Sequence, residues 1–104
     1  MQAVILAGGL GTRLKPLTTL VPKPMVPVHD RPFLEYELAL LAQNGITDVV
    51  LCVGYLGEQV SQYFGTGHAL GIKIQYSWDG EQLRGPIGAL KNAESLLEDS
   101  FFVL

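Results

Sequence analysis

Gln2-Ala3-Val4-Ile5-Leu6-Ala7-Gly8-Gly9-Leu10-Gly11-Thr12-Arg13 joins a strand-length apolar run to a glycine-rich turn. The apolar half has the pattern of a parallel strand covered on both faces. In the second half, glycines let the backbone turn sharply and approach a ligand, so that bare N–H groups meet phosphate oxygens. At the carboxyl end of the first strand of a doubly wound sheet, this is where nucleotides bind. Two familiar phosphate loops are excluded. The dinucleotide fingerprint needs a third glycine where Leu14 stands, and the P-loop needs a Gly-Lys-Ser/Thr that is missing here. A glycine-rich turn that holds no ligand is the plainer alternative.

Cations follow at once. Arg13 lies two residues beyond Gly11, and its planar fork can grip two phosphate oxygens together. Lys23 sits between Pro22 and Pro24, which stiffen the backbone and limit where its ammonium can go. Lys15 reads as a surface residue. These three are the only charges in residues 1–29, whereas residues 30–104 carry all ten acids against Arg31, Lys73, Arg84 and Lys91. The net charge is −3. An acidic whole argues against bulk binding to nucleic acid. A cationic segment inside it suits a small polyanion.

Working outward, Asp48–Gly54 and Phe101–Leu104 are again continuously apolar, and Ile72–Trp78 alternates, with Ile72, Ile74 and Tyr76 on one face. All three are expected as strands, the alternating one nearer an edge. Helices are expected over Phe33–Asn44, Glu58–Phe64 and Pro86–Leu97, the first with Leu34, Leu38 and Leu41 on one stripe and Gly45 past its end. Strand and helix alternate, which predicts an α/β fold: a Rossmann-like three-layer open sheet, mostly parallel. Between the first strand and first helix, Gly8–Arg31 shows little periodicity and reads as a long loop, a feature usually tied to function.

The chain has 104 residues, 48% hydrophobic and 16% charged, so it is read as one domain, residues 1–104, and not as a disordered segment. No apolar run reaches membrane-spanning length, and Met1–Ala7 has no basic leader, so a cytoplasmic protein with no membrane contact is expected. One cysteine, Cys52, excludes an internal disulfide framework and is expected buried. His29 and His68 are expected at the surface, and Trp78 in packing. Leu104 follows an apolar strand with no covering helix, which reads as a truncation after the fourth strand. The apolar surface this leaves is expected to self-associate, a property that light scattering at high concentration tests.

The runs Leu6-Ala7-Gly8-Gly9-Leu10-Gly11-Thr12-Arg13-Leu14, Pro22-Lys23-Pro24-Met25 and Pro32-Phe33-Leu34-Glu35-Tyr36 resemble the N-terminal half of the sugar-1-phosphate nucleotidyltransferases, the NDP-sugar pyrophosphorylases. The likeness continues through Val53-Gly54-Tyr55 and Tyr63-Phe64-Gly65 to Phe101-Phe102-Val103-Leu104. Gly54-Tyr55-Leu56-Gly57-Glu58-Gln59 and Tyr76-Ser77-Trp78-Asp79-Gly80-Glu81 are most similar to the mannose- and heptose-1-phosphate guanylyltransferase branch.

That resemblance implies the reaction of an NTP, with GTP favoured, and a sugar 1-phosphate to give an NDP-sugar and pyrophosphate. It implies nucleotide contacts at Leu6, Ala7, Gly8, Gly9, Gly11, Thr12 and Arg13. It gives Arg13 the departing β- and γ-phosphates, and Lys23 the α-phosphate and the incoming sugar phosphate. Glu81, Gly85 and Gly88 would face the base and ribose. There the family usually has Gly-Thr-Ala/Gly-Gly, and Gly85-Pro86-Ile87-Gly88 departs from it, because Pro86 lacks both a backbone donor and a hydroxyl. The family's Mg2+ is held by an aspartate just after the fourth strand and by a later carboxylate, so no metal ligand is expected within residues 1–104. The expectation is therefore the nucleotide-binding half of an enzyme. A non-catalytic nucleotide-binding or interaction module is the alternative, and a dinucleotide oxidoreductase is disfavoured by Leu14.

Overall fold

The computed structural model describes residues 2–7, 25–54, 56–78, 85–98 and 101–104. Its elements are β1 (Gln2–Leu6), β2 (Pro27–Val28), β3 (Arg31–Pro32), α1 (Phe33–Gln43), β4 (Asp48–Val53), α2 (Gly57–Phe64), β5 (Lys73–Trp78), α3 (Gly85–Asn92) and β6 (Phe101–Val103). Two 3₁₀ turns, His68–Leu70 and Glu94–Leu96, punctuate the connections.

The main sheet has the order β5-β4-β1-β6, every pair parallel. The continuously apolar β1 and β4 take the two central places, and β5, which alternates, takes an edge. Ala3, Ile5, Val49, Leu51, Val53, Ile72 and Ile74 bury one face against Leu34, Leu38 and Leu41 of α1 and Val60 and Phe64 of α2. Val4, Val50 and Cys52 bury the other against Ala89 and Ala93. So α1 and α2 cover one face and α3 the other. The first two crossovers step away from β1 and the third returns past it, so crossovers of one hand place α3 opposite. The expected three-layer, doubly wound architecture is what the chain adopts.

Cys52 is fully buried, and its Sγ lies 3.9 Å from the Ala89 carbonyl. His29 and His68 are exposed. At the opposite end of the sheet, the buried Gln2 amide ties the two ends of the chain together. Its Nε2 donates to the Leu96 carbonyl at 3.0 Å, and its Oε1 accepts from the Glu98 N–H at 2.9 Å. Among the described residues no helix is long and apolar enough to cross a membrane.

Two expectations need correction. The helix placed over Pro86–Leu97 ends at Asn92, and the chain continues as the Glu94–Leu96 3₁₀ turn. Leu90, Ala93 and Leu97 still face the sheet, because residues three apart also align on a 3₁₀ turn. The loop placed over Gly8–Arg31 contains, in its described part, the hairpin of β2 and β3. The apolar surface expected along the last strand is present: β6 is an edge strand of the described sheet, with Phe102, Val103 and Leu104 exposed.

Candidate functional site

The carboxyl end of β1 is fixed on both sides. The Ala7 N–H donates to the Cys52 carbonyl at 2.8 Å, the Leu6 N–H to the Leu104 carbonyl at 3.0 Å, and the Leu104 N–H to the Val4 carbonyl at 2.8 Å. Connections leave the sheet toward opposite faces on either side of the gap between β1 and β6, which makes that gap the topological switch point. In open α/β sheets, ligands settle in the crevice outside the strand ends at such a point. The glycine run begins there, one residue beyond the buried Ala7.

Of the residues singled out in the sequence, the structure places Leu6, Ala7, Gly85 and Gly88. Leu6 packs into the same apolar cluster as Ala89, the neighbour of Gly88, while Ala7 belongs to the cluster on the other face. Gly85 opens α3, and Gly88 is half-buried in its first turn. The end of β1 and the first turn of α3 are thus brought to one side of the sheet. Gly8, Gly9, Gly11, Thr12, Arg13, Lys23 and Glu81 lie outside the described residues.

A second feature of this rim was not foreseen. Leu56 has φ 53°, a left-handed conformation uncommon for a bulky side chain. The Gly57 N–H donates to the Gly54 carbonyl at 2.8 Å and closes the turn that enters α2. Gly54 and Gly57 were the available signal. A Cβ on Gly57 would lie 2.9 Å from Cζ3 of Trp78 and 3.1 Å from Cβ of Val53. Trp78 lies over this glycine, stacks on Tyr76 with ring centroids 6.1 Å apart, and is 46% exposed. Asn92 Nδ2 donates to its carbonyl at 2.8 Å. Gly57→Ala is expected to displace the indole without unfolding the chain. Trp78 is the sole tryptophan, so a shift in emission maximum checks this directly; an unchanged spectrum would contradict the packing.

The β2–β3 hairpin is held from α1. Tyr36 Oη donates to the Val28 carbonyl at 2.7 Å, and the Phe33 N–H to the Val26 carbonyl at 3.0 Å. Arg31 Nη1 pairs with Glu35 Oε2 at 3.5 Å, and Tyr63 Oη donates to Glu35 Oε1 at 2.7 Å. The Glu35 carboxylate accepts from the neutral phenol and repels the phenolate, which raises the Tyr63 pKa; its partial desolvation adds to this. Burial raises Tyr76, whose hydroxyl donates to the Gly65 carbonyl at 2.7 Å. Both groups are bound more tightly by protons in the fold than in the unfolded chain. Their contribution is complete below the ordinary tyrosine value near 10 and is lost as pH climbs through the raised values. Urea midpoints are therefore expected to fall on alkaline titration, and less so in the Tyr76→Phe chain. Equal slopes for both chains would count against it.

A family model described as nucleotidyl transferase matches residues 2–104. D-glycero-alpha-D-manno-heptose 1-phosphate guanylyltransferase of Campylobacter jejuni is 46% identical over 104 residues, which is all of this chain and 46% of that protein. Mannose-1-phosphate guanyltransferase of Emericella nidulans is 45% identical over 108 residues, again all of this chain but 29% of that protein. The crystal structure of HddC from Yersinia pseudotuberculosis complexed with GMP-PN superposes with a TM-score of 0.85 at 36% identity, covering 99% of this chain and 46% of that one. The chain therefore spans less than half the length of these relatives. The resemblance to the heptose and mannose guanylyltransferase branch is matched by these similarities. With a doubly wound sheet, a glycine run leaving its switch point and a family match over residues 2–104, the chain belongs to the nucleotidyl transferase family.

Proposed function

We propose that this chain carries the nucleotide-binding part of an enzyme that transfers a guanylyl group from GTP to a sugar 1-phosphate, releasing pyrophosphate. One observation carries the reading: β1 ends at the switch point, where open α/β sheets take their ligands, and the Gly8–Arg13 run follows β1 directly in sequence. The guanylyltransferase names of the relatives, and the GMP-PN in the HddC structure, support guanine as the base.

In the reaction, an oxygen of the sugar phosphate attacks the α-phosphorus in line. A new P–O bond forms as the bond to the β-phosphate oxygen breaks, and pyrophosphate leaves with the electron pair. No covalent work falls to the protein, so catalysis is alignment and charge stabilisation. Gly8, Gly9 and Gly11 hold the triphosphate through backbone N–H groups, with Leu6, Ala7 and Thr12 lining the approach. Arg13 stabilises the charge gathering on the leaving pyrophosphate. Lys23 bridges the α-phosphate and the sugar phosphate, offsetting the repulsion between two anions. Gly85, Gly88 and Glu81 face the base and ribose.

Magnesium belongs to this reading as the ion that neutralises the triphosphate. Among the described residues no group of three His, Cys, Asp or Glu can hold a metal ion, so none of these steps is assigned to one. GTP and sugar 1-phosphate are the proposed partners, in a cytoplasmic setting where both are made. Calorimetric titration of the chain with GTP, beside a pyrophosphate-release assay of the complete protein with mannose or heptose 1-phosphate, tests the proposal. GTP binding by the chain is the expected result. Its absence would overturn the reading, and binding with no pyrophosphate release by the complete protein would favour the non-catalytic module.

A further inference from the structure

The two edges of the main sheet are finished differently. At the β5 edge, alternate residues turn their backbone groups outward, and two of those groups are already taken. The Ile74 N–H donates to the Thr66 carbonyl at 2.9 Å, and the Trp78 carbonyl accepts from Asn92 Nδ2 at 2.8 Å. The β6 edge has no such cover among the described residues, where its one strand partner is β1. Leu104 turns both backbone groups toward β1, donating to the Val4 carbonyl and accepting from the Leu6 N–H. Alternation along the strand therefore points the N–H and C=O of Phe101 and Val103 away from the sheet. A bare edge of this kind is a template for pairing with another chain.

What this edge offers is complementary to itself. A two-fold axis through Phe102 sets Phe101 opposite Val103 of a second copy, and Val103 opposite its Phe101. Both become hydrogen-bonded pairs of an antiparallel ladder, with Phe102 facing its own copy in the close pair between them. Phe101 packs with the α3-side cluster, so Phe102, 50% exposed, projects from the other face and meets its copy as an aromatic pair. On the α3 side, Phe101 ends an open groove of about 590 Å3 that Leu90, Lys91, Glu94, Leu97 and Glu98 also line. Val103 of the second copy, 44% exposed in the single chain, comes beside Phe101 at this groove. Charge fits the same axis. The Gln2 amide, level with Phe101, holds Leu96 and Glu98, while Asn92, next to Lys91, reaches the far end of β5. Lys91 and Glu98 thus mark opposite ends of the groove, and the two-fold brings the Lys91 end of one copy toward the Glu98 end of the other.

We infer that this chain forms a two-fold dimer through β6, an isologous interface that joins two four-stranded sheets into one. The contrast between the edges closes the assembly. Once β6 is paired, the described sheet ends on β5 in both copies, where Thr66 and Asn92 already occupy outward backbone groups, so growth stops at two. The inference goes beyond the nucleotide reading and does not depend on it, since none of its residues belongs to the proposed phosphate site.

The test is sedimentation equilibrium of the parent chain, Phe102→Lys, Phe102→Asp and an equimolar mixture of the two variants, with urea midpoints to confirm that each folds. The parent is expected to follow a monomer–dimer equilibrium. Each variant alone should dimerise about tenfold more weakly, because the aromatic pair is lost and like charges stand opposite each other on the axis. The mixture should regain the dimer, since lysine then faces aspartate. Should either variant fail to fold, Lys91→Glu and Glu98→Lys replace them: each alone should weaken the dimer about threefold, as exposed charge pairs do, and their mixture should restore it. A parent that stays monomeric at high concentration would overturn the inference and leave the edge to a different polypeptide. A parent that grows past the dimer would overturn it in favour of undirected apolar association. Variants that associate as the parent does, or a mixture that gains nothing over its components, would remove the two-fold at Phe102.

Discussion

Gly67→Val is expected to destabilise the chain by about 2–5 kcal/mol, from left-handed strain of about 1–2 kcal/mol plus overpacking. Gly67 is buried with φ 82°, and a Cβ there would lie 2.8 Å from Cγ1 of both Ile72 and Ile74 and 3.0 Å from the Ile72 carbonyl oxygen. Those isoleucines belong to the main core cluster and have nowhere to retreat. The loop also depends on this residue, since the Gly67 carbonyl accepts from the N–H groups of Leu70 and Ile72 at 3.0 and 3.1 Å. Gly45→Ala is the control. It has φ 78° with nothing within 4 Å of the added Cβ, so it should cost only the backbone strain. Urea midpoints of the two variants check this. If Gly45→Ala costs as much as Gly67→Val, crowding at the isoleucines is not the cause.

In the complete enzyme that the proposal describes, Arg13→Ala is expected to lower turnover by about a hundred- to a thousandfold, the usual loss when a donor aimed at developing charge is removed. GTP affinity should fall far less. The bond to the β-phosphate breaks only in the transition state, so the pyrophosphate gains its charge there, and a guanidinium serving it contributes little to the ground state. Turnover measured with saturating sugar 1-phosphate, beside a direct titration of GTP, separates the two effects. Equal losses in kcat and affinity would show that Arg13 only binds.

The sheet was legible because its strands announce their burial. Val49 to Val53 is apolar at every position, and only a strand covered on both faces uses such a run. Ile72, Ile74 and Tyr76 alternate because one face of β5 carries its apolar packing, and the strand lies at an edge as expected. The exposure of Phe102 to Leu104 was also expected; the edge place of β6 was not legible, since an apolar run reports what a strand can cover and says nothing about which partners are beside it. The hairpin escaped notice for a different cause. Of its four strand positions two are proline and only Val28 favours a strand, and its turn uses His29-Asp30 where glycine would have marked the positive φ. The end of α3 was hidden because the apolar spacing runs straight through it. For the site, the glycines, Arg13 and Lys23 are named by the sequence alone and lie outside the described residues. The strain at Leu56 was not, because no property of leucine signals a left-handed backbone.

The place of β1 also bears on how the chain reaches its fold. It precedes the other described strands, yet it lies in the middle of the sheet, and one of its two neighbours is β6, whose Phe101 pairs with Gln2. Gln2 meets Leu96 and Glu98, partners 94 and 96 positions downstream. Contacts of such high sequence separation must be closed before they stabilise anything, which slows folding relative to chains built from local pairings. On a ribosome, β1 would emerge and pair with β4 while its other edge stayed open until Phe101–Val103 arrived. An open, wholly apolar strand edge is what chaperones guard and aggregates recruit. In this molecule a central strand with four buried residues waits for its second neighbour until β6 is made.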